Sequence, residues 1–338
     1  MHFRNFRLAV AIAAGATVPT HCHAQQKGER IPDLLINDVA EAQIAMHPAT
    51  AAVEPSSLAV AEIDLTKIDL DNAVDWLAEI ADADPTSEEF AMPKSMVSGV
   101  LQSLRSAGAE KVYATGSLRS FFDGGPIVII PCDDTVIVSG IVSMILNQQP
   151  EPAEWTMQTR GDTVIAGSRA AVERILKRQT ATGIVSRTDL IRPLASGDHL
   201  DHTIVLALPT EERGELEAFW PDQMPESSPV QMSPRQMVQD VDRITLSFAL
   251  PPEPQLRIVI ETSEIAAAVR VEEVIGKALQ AAPKIEPHVS LSINSANVEI
   301  RVAPNQIRKV IASMFGSRDQ QSKDDGRTDQ SDANDQRR

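Results

Sequence analysis

The chain has little cysteine, few aromatic residues and a deficit of positive charge. Its 338 residues include two cysteines, eight phenylalanines, three tryptophans and one tyrosine. So few aromatic side chains cannot supply the rows of stacking platforms that bind sugars or single-stranded nucleic acids. Lysine and arginine number 31 against 47 acidic residues, which gives a formal net charge of −16. A field of that sign repels phosphate, so the composition disfavours nucleic acid as a partner.

The N-terminal segment 1–24 has the pattern of a secretory signal peptide. Arg4 and Arg7 precede a short apolar run, and Cys22 and Ala24 are the small residues of a cleavage site. The apolar run is too short to span a bilayer, and the histidine before Cys22 disfavours processing as a lipoprotein. We therefore expect cleavage after Ala24 and export to the periplasm or beyond the cell, with no membrane span and no lipid anchor.

Removal of that segment would leave Cys132 as the one remaining cysteine. An intrachain disulfide is then impossible in the mature chain. Cys132 follows the apolar run PIVII and a proline, a setting that favours a buried small hydrophobic side chain over a reactive thiol. No motif in the sequence implies a cofactor.

Hydrophobic residues make up 43% of the sequence, enough to build sizeable cores. The length predicts two domains or one domain built twice. The final stretch has almost no apolar side chains and is expected to be disordered. The predicted segments are a signal peptide at 1–24, an N-terminal leader at 25–56, a first half at 57–180, a second half at 187–315 with a proline-rich surface loop at 221–236, and a tail at 316–338.

A repeated pattern of strands and helices is the most informative feature of the sequence. In the first half, the strands KVYATGSL and PIVIIPC precede a helical segment at 135–146, and the hairpin WTMQTR/TVIAG precedes the helix SRAAVERILKR. In the second half, RITLSFAL and LRIVIETS precede a long helix, and HVSLSIN and NVEIRV precede APNQIRKVIASMF. Trp155 and Met157 recur as Val289 and Leu291 at a constant offset. The pattern predicts an α+β fold of two related halves, each an antiparallel sheet packed against helices with two β-β-α units.

The run GDTVIAGSRAAVERIL stands where a hairpin passes into a helix. With the repeated units around it, the chain over residues 57–315 resembles a broad class of exported bacterial proteins of unknown function. The resemblance implies a protein of the envelope or the extracellular space, and it brings no catalytic or binding residues with it.

One cluster of residues has the side-chain types of a metal site. Asp198, His199, Asp201 and His202 fall within the segment SGDHLDHT. Their spacing matches no common structural zinc pattern, and a solvated loop is the alternative. We keep these four residues as candidate metal ligands.

Two other features have simpler explanations than function. Asp133, Asp134 and Glu264 stand where helices are expected to begin, and acids there cap free N–H groups and complement the helix dipole. The tripeptide Arg160-Gly161-Asp162 stands where a hairpin needs its turn.

The sequence contains no nucleophile elbow, phosphate loop or HExxH motif. The leading hypothesis is therefore a non-enzymatic binding or scaffolding module with a protein partner in the envelope or outside the cell. Two alternatives stay open: a hydrolase or metal-dependent enzyme, and a carrier of an apolar small molecule between sheet and helices.

Overall fold

In the computed structural model, the segments predicted as strands join in one antiparallel sheet. The structure describes residues 41–80, 84, 86, 88–117, 125–148, 154–179, 187–223, 233–281, 288–292 and 296–307. The predicted signal peptide and the predicted tail lie outside these residues. The strands are β1 (Ser57–Asp64), β2 (Lys111–Ser117), β3 (Ile127–Pro131), β4 (Trp155–Arg160), β5 (Thr163–Ser168), β6 (His202–Leu206), β7 (Val241–Ala249), β8 (Gln255–Thr262), β9 (His288–Ser292) and β10 (Asn297–Val302).

The order of the strands across the sheet is β4-β5-β3-β2-β1-β6-β7-β8-β10-β9. Each outermost strand begins a hairpin whose second strand lies next to it on the inner side. β1 pairs with β6 at the centre, where Val60 lies opposite Val205 and Glu62 opposite Thr203. Read from one edge to the centre, the order is β4-β5-β3-β2-β1, and from the other edge it is β9-β10-β8-β7-β6. Adding five to each strand number of the first series gives the second, so the two series have the same arrangement.

Helices cover both faces of the sheet, which agrees with the continuously apolar sequences of strands such as PIVIIPC. Those with defined bounds are α1 (Leu70–Ile80), α2 (Glu88–Ser106), α3 (Thr135–Asn147), α4 (Arg169–Gln179), α5 (Thr188–Ala195), α6 (Thr210–Phe219), α7 (Pro234–Asp240) and α8 (Ile265–Ala281). Two short 3-10 helices stand at Pro48–Ala51 and Leu65–Lys67. The α+β class predicted from the sequence is confirmed.

Alternation along the strands separates two faces with different cores. We call the front face the one that carries Val60 and Glu62, and the back face the one that carries Ile63. The 3-10 helix at Pro48–Ala51 packs on the front face together with α4 and α5. On the back face, α2 and α3 cover β2, β3 and β5, while α8 covers β8 and β10. Residues of the predicted leader therefore belong to the front core.

The segment at 135–146 is rich in β-branched residues, yet it forms α3 as predicted. Asp134 caps this helix: its carboxylate accepts hydrogen bonds from the amides of Val136 (3.0 Å) and Ile137 (3.1 Å). The cap satisfies two of the free N–H groups of the first turn. A good start signal thus outweighs a weak helix propensity.

The predicted loop at 221–236 is shorter at its C-terminal end than the prolines suggested. Ser233 caps α7 by accepting a hydrogen bond from the amide of Gln236 (3.1 Å), and Pro234 occupies the first turn. A proline there costs nothing because its missing N–H would be free in any case. The residues at 224–232 lie outside the described part of the chain.

Gly108 stands at a tight contact between the end of α2 and the start of α3. Its φ is +76°, and an added Cβ would lie 2.8 Å from the Cβ of Asp133. The backbone of Asp133 cannot retreat easily, because its amide donates to the carbonyl of Ala107 (2.9 Å). We expect Gly108→Ala to lower the free energy of unfolding by about 2 kcal/mol in urea denaturation.

The matched control is Gly161, which has a φ of +58° in the turn between β4 and β5. Nothing in the described part of the chain lies within 4 Å of a Cβ added there. Gly161→Ala should therefore cost only the left-handed backbone penalty, about 1 kcal/mol. Equal losses in the two variants would contradict the contact at Asp133.

None of the helices in the described residues has the length and apolar character needed to cross a bilayer. Cys132 is buried and carries a free thiol, which confirms its predicted role as a small core residue. Burial raises the pKa of this thiol, and the charges of Asp134 and Asp162 raise it further.

Candidate functional site

A carboxylate is buried on the front face at the centre of the sheet. Glu62 on β1 is 1% exposed. One carboxylate oxygen accepts a hydrogen bond from Nζ of Lys111, and the other lies 3.4 Å from Nε2 of His47. The His47 ring meets the ring of Tyr113 edge to face, with centroids 5.2 Å apart. We call Glu62, His47, Lys111 and Tyr113 the Glu62 cluster.

Strand register and a cap bring these residues together. The β1–β2 pairing sets Glu62 opposite Tyr113, and Lys111 lies two residues further along the same face of β2. His47 precedes the 3-10 helix at Pro48–Ala51, and its Nδ1 accepts a hydrogen bond from the amide of Ala49 (3.3 Å). That bond assigns the ring proton to Nε2, which donates to Glu62.

The charges in the cluster are fixed by its contacts. Burial raises the pKa of Glu62, but hydrogen bonds from His47 and Lys111 and the charge of Lys111 outweigh it, so the pKa lies below its ordinary value. Burial and the charges of Glu62 and Asp64 raise the pKa of Tyr113. At neutral pH the carboxylate is ionised and the phenol is protonated. Acid–base catalysis favours a pKa near the working pH, so this chemistry suits an internal ion pair better than a catalyst.

The four candidate metal ligands have different surroundings. Both ring nitrogens of His199 face carbonyl oxygens, those of Leu200 (2.8 Å) and Leu194 (3.1 Å). His202 lies on the back face of β6, where its Nδ1 accepts from the amide of Asp64 (3.3 Å). No group of three His, Cys, Asp or Glu side chains in the described residues could hold a metal ion. Metal binding by the four residues stays a prediction.

The other two candidates are acids with different neighbours. Asp198 lies 3.4 Å from Nη1 of Arg257 on β8. Burial and the charge of Asp64 raise the pKa of Asp201, while Lys67 and His199 act in the opposite direction. A carboxyl group whose pKa is raised by folding destabilises the folded state when it is ionised.

Asp201→Asn is therefore expected to stabilise the protein at pH 7. The gain should be below about 1 kcal/mol, because the group is partly exposed, and it should disappear near pH 3, where both states carry a protonated carboxyl. Thermal unfolding at both pH values measures it. The same variant tests the metal hypothesis. If added zinc raises the Tm of the wild type but not that of Asp201→Asn, Asp201 is a zinc ligand.

Two sequence features take structural roles. Asp134 caps α3 as described, and an oxygen of Glu264, directly before α8, lies 3.8 Å from Nη2 of Arg270 in the second turn of that helix. Gly161 and Asp162 form the turn between β4 and β5, as turn chemistry predicted for the Arg160-Gly161-Asp162 tripeptide.

An apolar surface is exposed on α3. Val136 is 80% exposed, Ile137 45% and Met144 44%, and Gly140 lies between them on the outer side of the helix. Only Val138 and Val142 of this helix are fully buried. We call the face of the helix formed by Val136, Ile137, Gly140 and Met144 the α3 surface.

Sequence reasoning missed both the Glu62 cluster and the α3 surface. The signal for the first was a charged residue inside the apolar strand LAVAEIDL, and the signal for the second was a helical segment that carries no charged residue. Comparisons with models of protein families, with curated proteins and with solved structures found no match to this chain. Its function is therefore argued from its own residues.

Proposed function

We propose that this protein is a non-enzymatic binding or scaffolding module, exported to the envelope or the extracellular space, that holds a protein partner on the α3 surface. The observation that carries the proposal is the exposure of Val136, Ile137 and Met144 on one helix. Large apolar side chains grouped on the exposed face of a helix commonly mark a surface that a protein partner covers.

The composition of α3 strengthens this interpretation. The helix TVIVSGIVSMILN has no charged residue along its 13 positions. Charged residues make up 23% of the whole sequence and keep the rest of the surface hydrated. A stripe without charge on an acidic protein removes the largest desolvation cost of burying that stripe against another protein.

We further propose that the chain consists of two related halves, residues 57–180 and 187–315, each with two β-β-α units. The mirrored strand order across the sheet supports a duplication. The strands that contain Trp155 and Val289, which the sequence matched to each other, are the two outermost strands. The signal-peptide pattern of residues 1–24 supports export.

Photocrosslinking tests the binding proposal. A benzophenone amino acid is placed at Val136 in the full chain, and at Arg192, an exposed position on α5 across the sheet, as the control. In cells that express the protein, we expect a discrete protein adduct from position 136 and none from position 192. Equal labelling from both positions, or none from position 136, would contradict the proposal.

A further inference from the structure

We propose that the partner held on the α3 surface is a second copy of this chain, with the two α3 helices crossing antiparallel at Gly140. The inference rests on the binding function proposed above and names its partner. It is carried by the symmetry of the exposed residues, by a glycine that lies between exposed apolar side chains, and by the area available.

The exposed residues have the symmetry that a dimer interface requires. Val136, Gly140 and Met144 follow each other at intervals of four residues, so they form one ridge of the helix. In a two-fold interface the same patch on both copies must match itself. An axis through Gly140 sets Val136 of each copy opposite Met144 of the other, and glycine against glycine at the crossing.

Gly140 leaves room for a close approach by another helix. A Cβ added to it meets no atom within 4 Å in the described residues, which is also true of the helical glycines Gly99, Gly214 and Gly276. Of these four, Gly140 is the one with a large exposed apolar side chain both four residues before it and four residues after it. Glycine inside a helix costs roughly 1 kcal/mol relative to alanine. A close helix crossing gives this glycine a role, because interhelical distances of about 8 Å require a small residue at the contact.

The area available predicts a weak dimer. The 13-residue helix α3 is about 20 Å long and about 10 Å wide. The adjoining helix α2 packs against it and presents Met96, which is 53% exposed. Two helices side by side offer roughly 400 Å² in projection from each copy, about 800 Å² in total, which is less than the roughly 1,000 Å² that a stable specific interface buries, so the dimer is a weak and transient one. We expect a dissociation constant on the order of 10 to 100 µM.

Charge gives the dimer a distinctive salt dependence. The formal charge of −16 makes two copies repel each other, whereas α3 itself carries no charge. Added salt screens the repulsion and leaves the apolar contact intact. Dimerisation should therefore strengthen between 0.05 and 0.5 M NaCl, the reverse of an interface made by ion pairs.

Sedimentation velocity on the purified full chain from about 1 µM to 1 mM tests the inference. Val136→Lys and Gly140→Leu should each weaken dimerisation at least about tenfold. Leucine favours the helix more than glycine does, so a loss of folding in Gly140→Leu is not expected. Val269→Lys, at a 48% exposed position on α8, is the matched control and should leave dimerisation unchanged.

A disulfide test reports the geometry directly. At the crossing, the Cα atoms of the two Gly140 residues should approach within about 4 to 7 Å, the range that a disulfide spans. With Cys22→Ser in both variants to remove the other native cysteine, Gly140→Cys should form a covalent dimer on mild oxidation and Val269→Cys should not, while the native Cys132 is buried and stays out of the reaction. A non-covalent dimer that Gly140→Cys fails to trap would overturn the inference.

The failure of this inference can be distinguished from the failure of the binding function. If the purified chain stays monomeric up to 1 mM, and the probe at Val136 captures a different protein in cells, the second-copy inference is wrong and the binding function stands. If the chain stays monomeric and the probe captures nothing, both are wrong.

Discussion

Lys111→Met should lower the free energy of unfolding by about 3 kcal/mol at pH 7, because it leaves the carboxylate of Glu62 buried without its cation. Removing one partner of a buried ion pair costs about 3 to 5 kcal/mol. The lower end applies here, since the Lys111 side chain is 39% exposed and water screens part of the interaction. Urea denaturation, followed by circular dichroism, measures the change.

The difference in the free energy of unfolding between the wild type and Lys111→Met should shrink as the pH falls. In the wild type the pKa of Glu62 lies below its ordinary value, so its stabilising contribution is present above the ordinary carboxyl pKa and is lost as the pH falls through the folded pKa. In the variant we expect the pKa of Glu62 to be higher than in the wild type, because burial is then opposed by the hydrogen bond from His47 without the hydrogen bond and charge of Lys111. Protonation then relieves the buried charge as the pH falls, and the two stability curves approach each other in acid.

Two further variants make this prediction specific. Glu62→Gln combined with Lys111→Met removes both charges, and it should recover about 2 kcal/mol relative to the sum of the single changes. Lys277→Met is the surface control: Lys277 and Glu273 lie 2.6 Å apart on α8 but are 54% and 63% exposed, so the loss should be about 0.5 kcal/mol or less. Similar losses in Lys111→Met and Lys277→Met would show that the Glu62 cluster is no more than a surface pair.

The parts of the fold that the sequence predicted are those with a strong local period. NVEIRV alternates and forms β10, and EIAAAVRVEEVIGKALQ has helical spacing and forms most of α8. The helices α2 and α5 are among those that escaped prediction. The sequence of α2 includes Pro93, Gly99 and four serines, which blur its apolar stripe, and α5 begins after Arg187, which has a φ of +66° and makes no side-chain cap.

The candidate sites were harder to predict because they depend on contacts between distant residues. The side chains of Glu62 and Lys111 are 49 residues apart in sequence, and only the strand register makes them neighbours. The opposite holds for His199 and His202. They are close in sequence, but His202 lies on the back face against Phe248, whereas His199 faces the carbonyl of Leu194 on α5. Two residues that are close along the chain thus have different neighbours, whereas two distant residues share a contact across the sheet.

Ile191→Ala should lower the free energy of unfolding by about 3 kcal/mol. Ile191 lies on α5, is 0% exposed and belongs to the front core. Truncating a buried isoleucine removes its transfer free energy and leaves a cavity, at a cost of about 2 to 5 kcal/mol. Because α5 has eight residues, too few to be stable alone, this packing is what keeps the helix in place.

Arg187 gives this prediction a structural readout besides stability. Its guanidinium donates to the carbonyl of Ala207 (2.8 Å) and to that of Ser57, so it joins the start of α5 to the chain around β6 and β1. Loss of Ile191 should therefore loosen α5 at its core side while Arg187 still holds its first turn, and amide hydrogen exchange should rise in α5 before the rest of the front core. Arg192→Ala, at an exposed position on the same helix, should change stability by less than about 0.5 kcal/mol. If Ile191→Ala and Arg192→Ala both change the free energy of unfolding by less than about 0.5 kcal/mol, α5 does not contribute its apolar side to the front core.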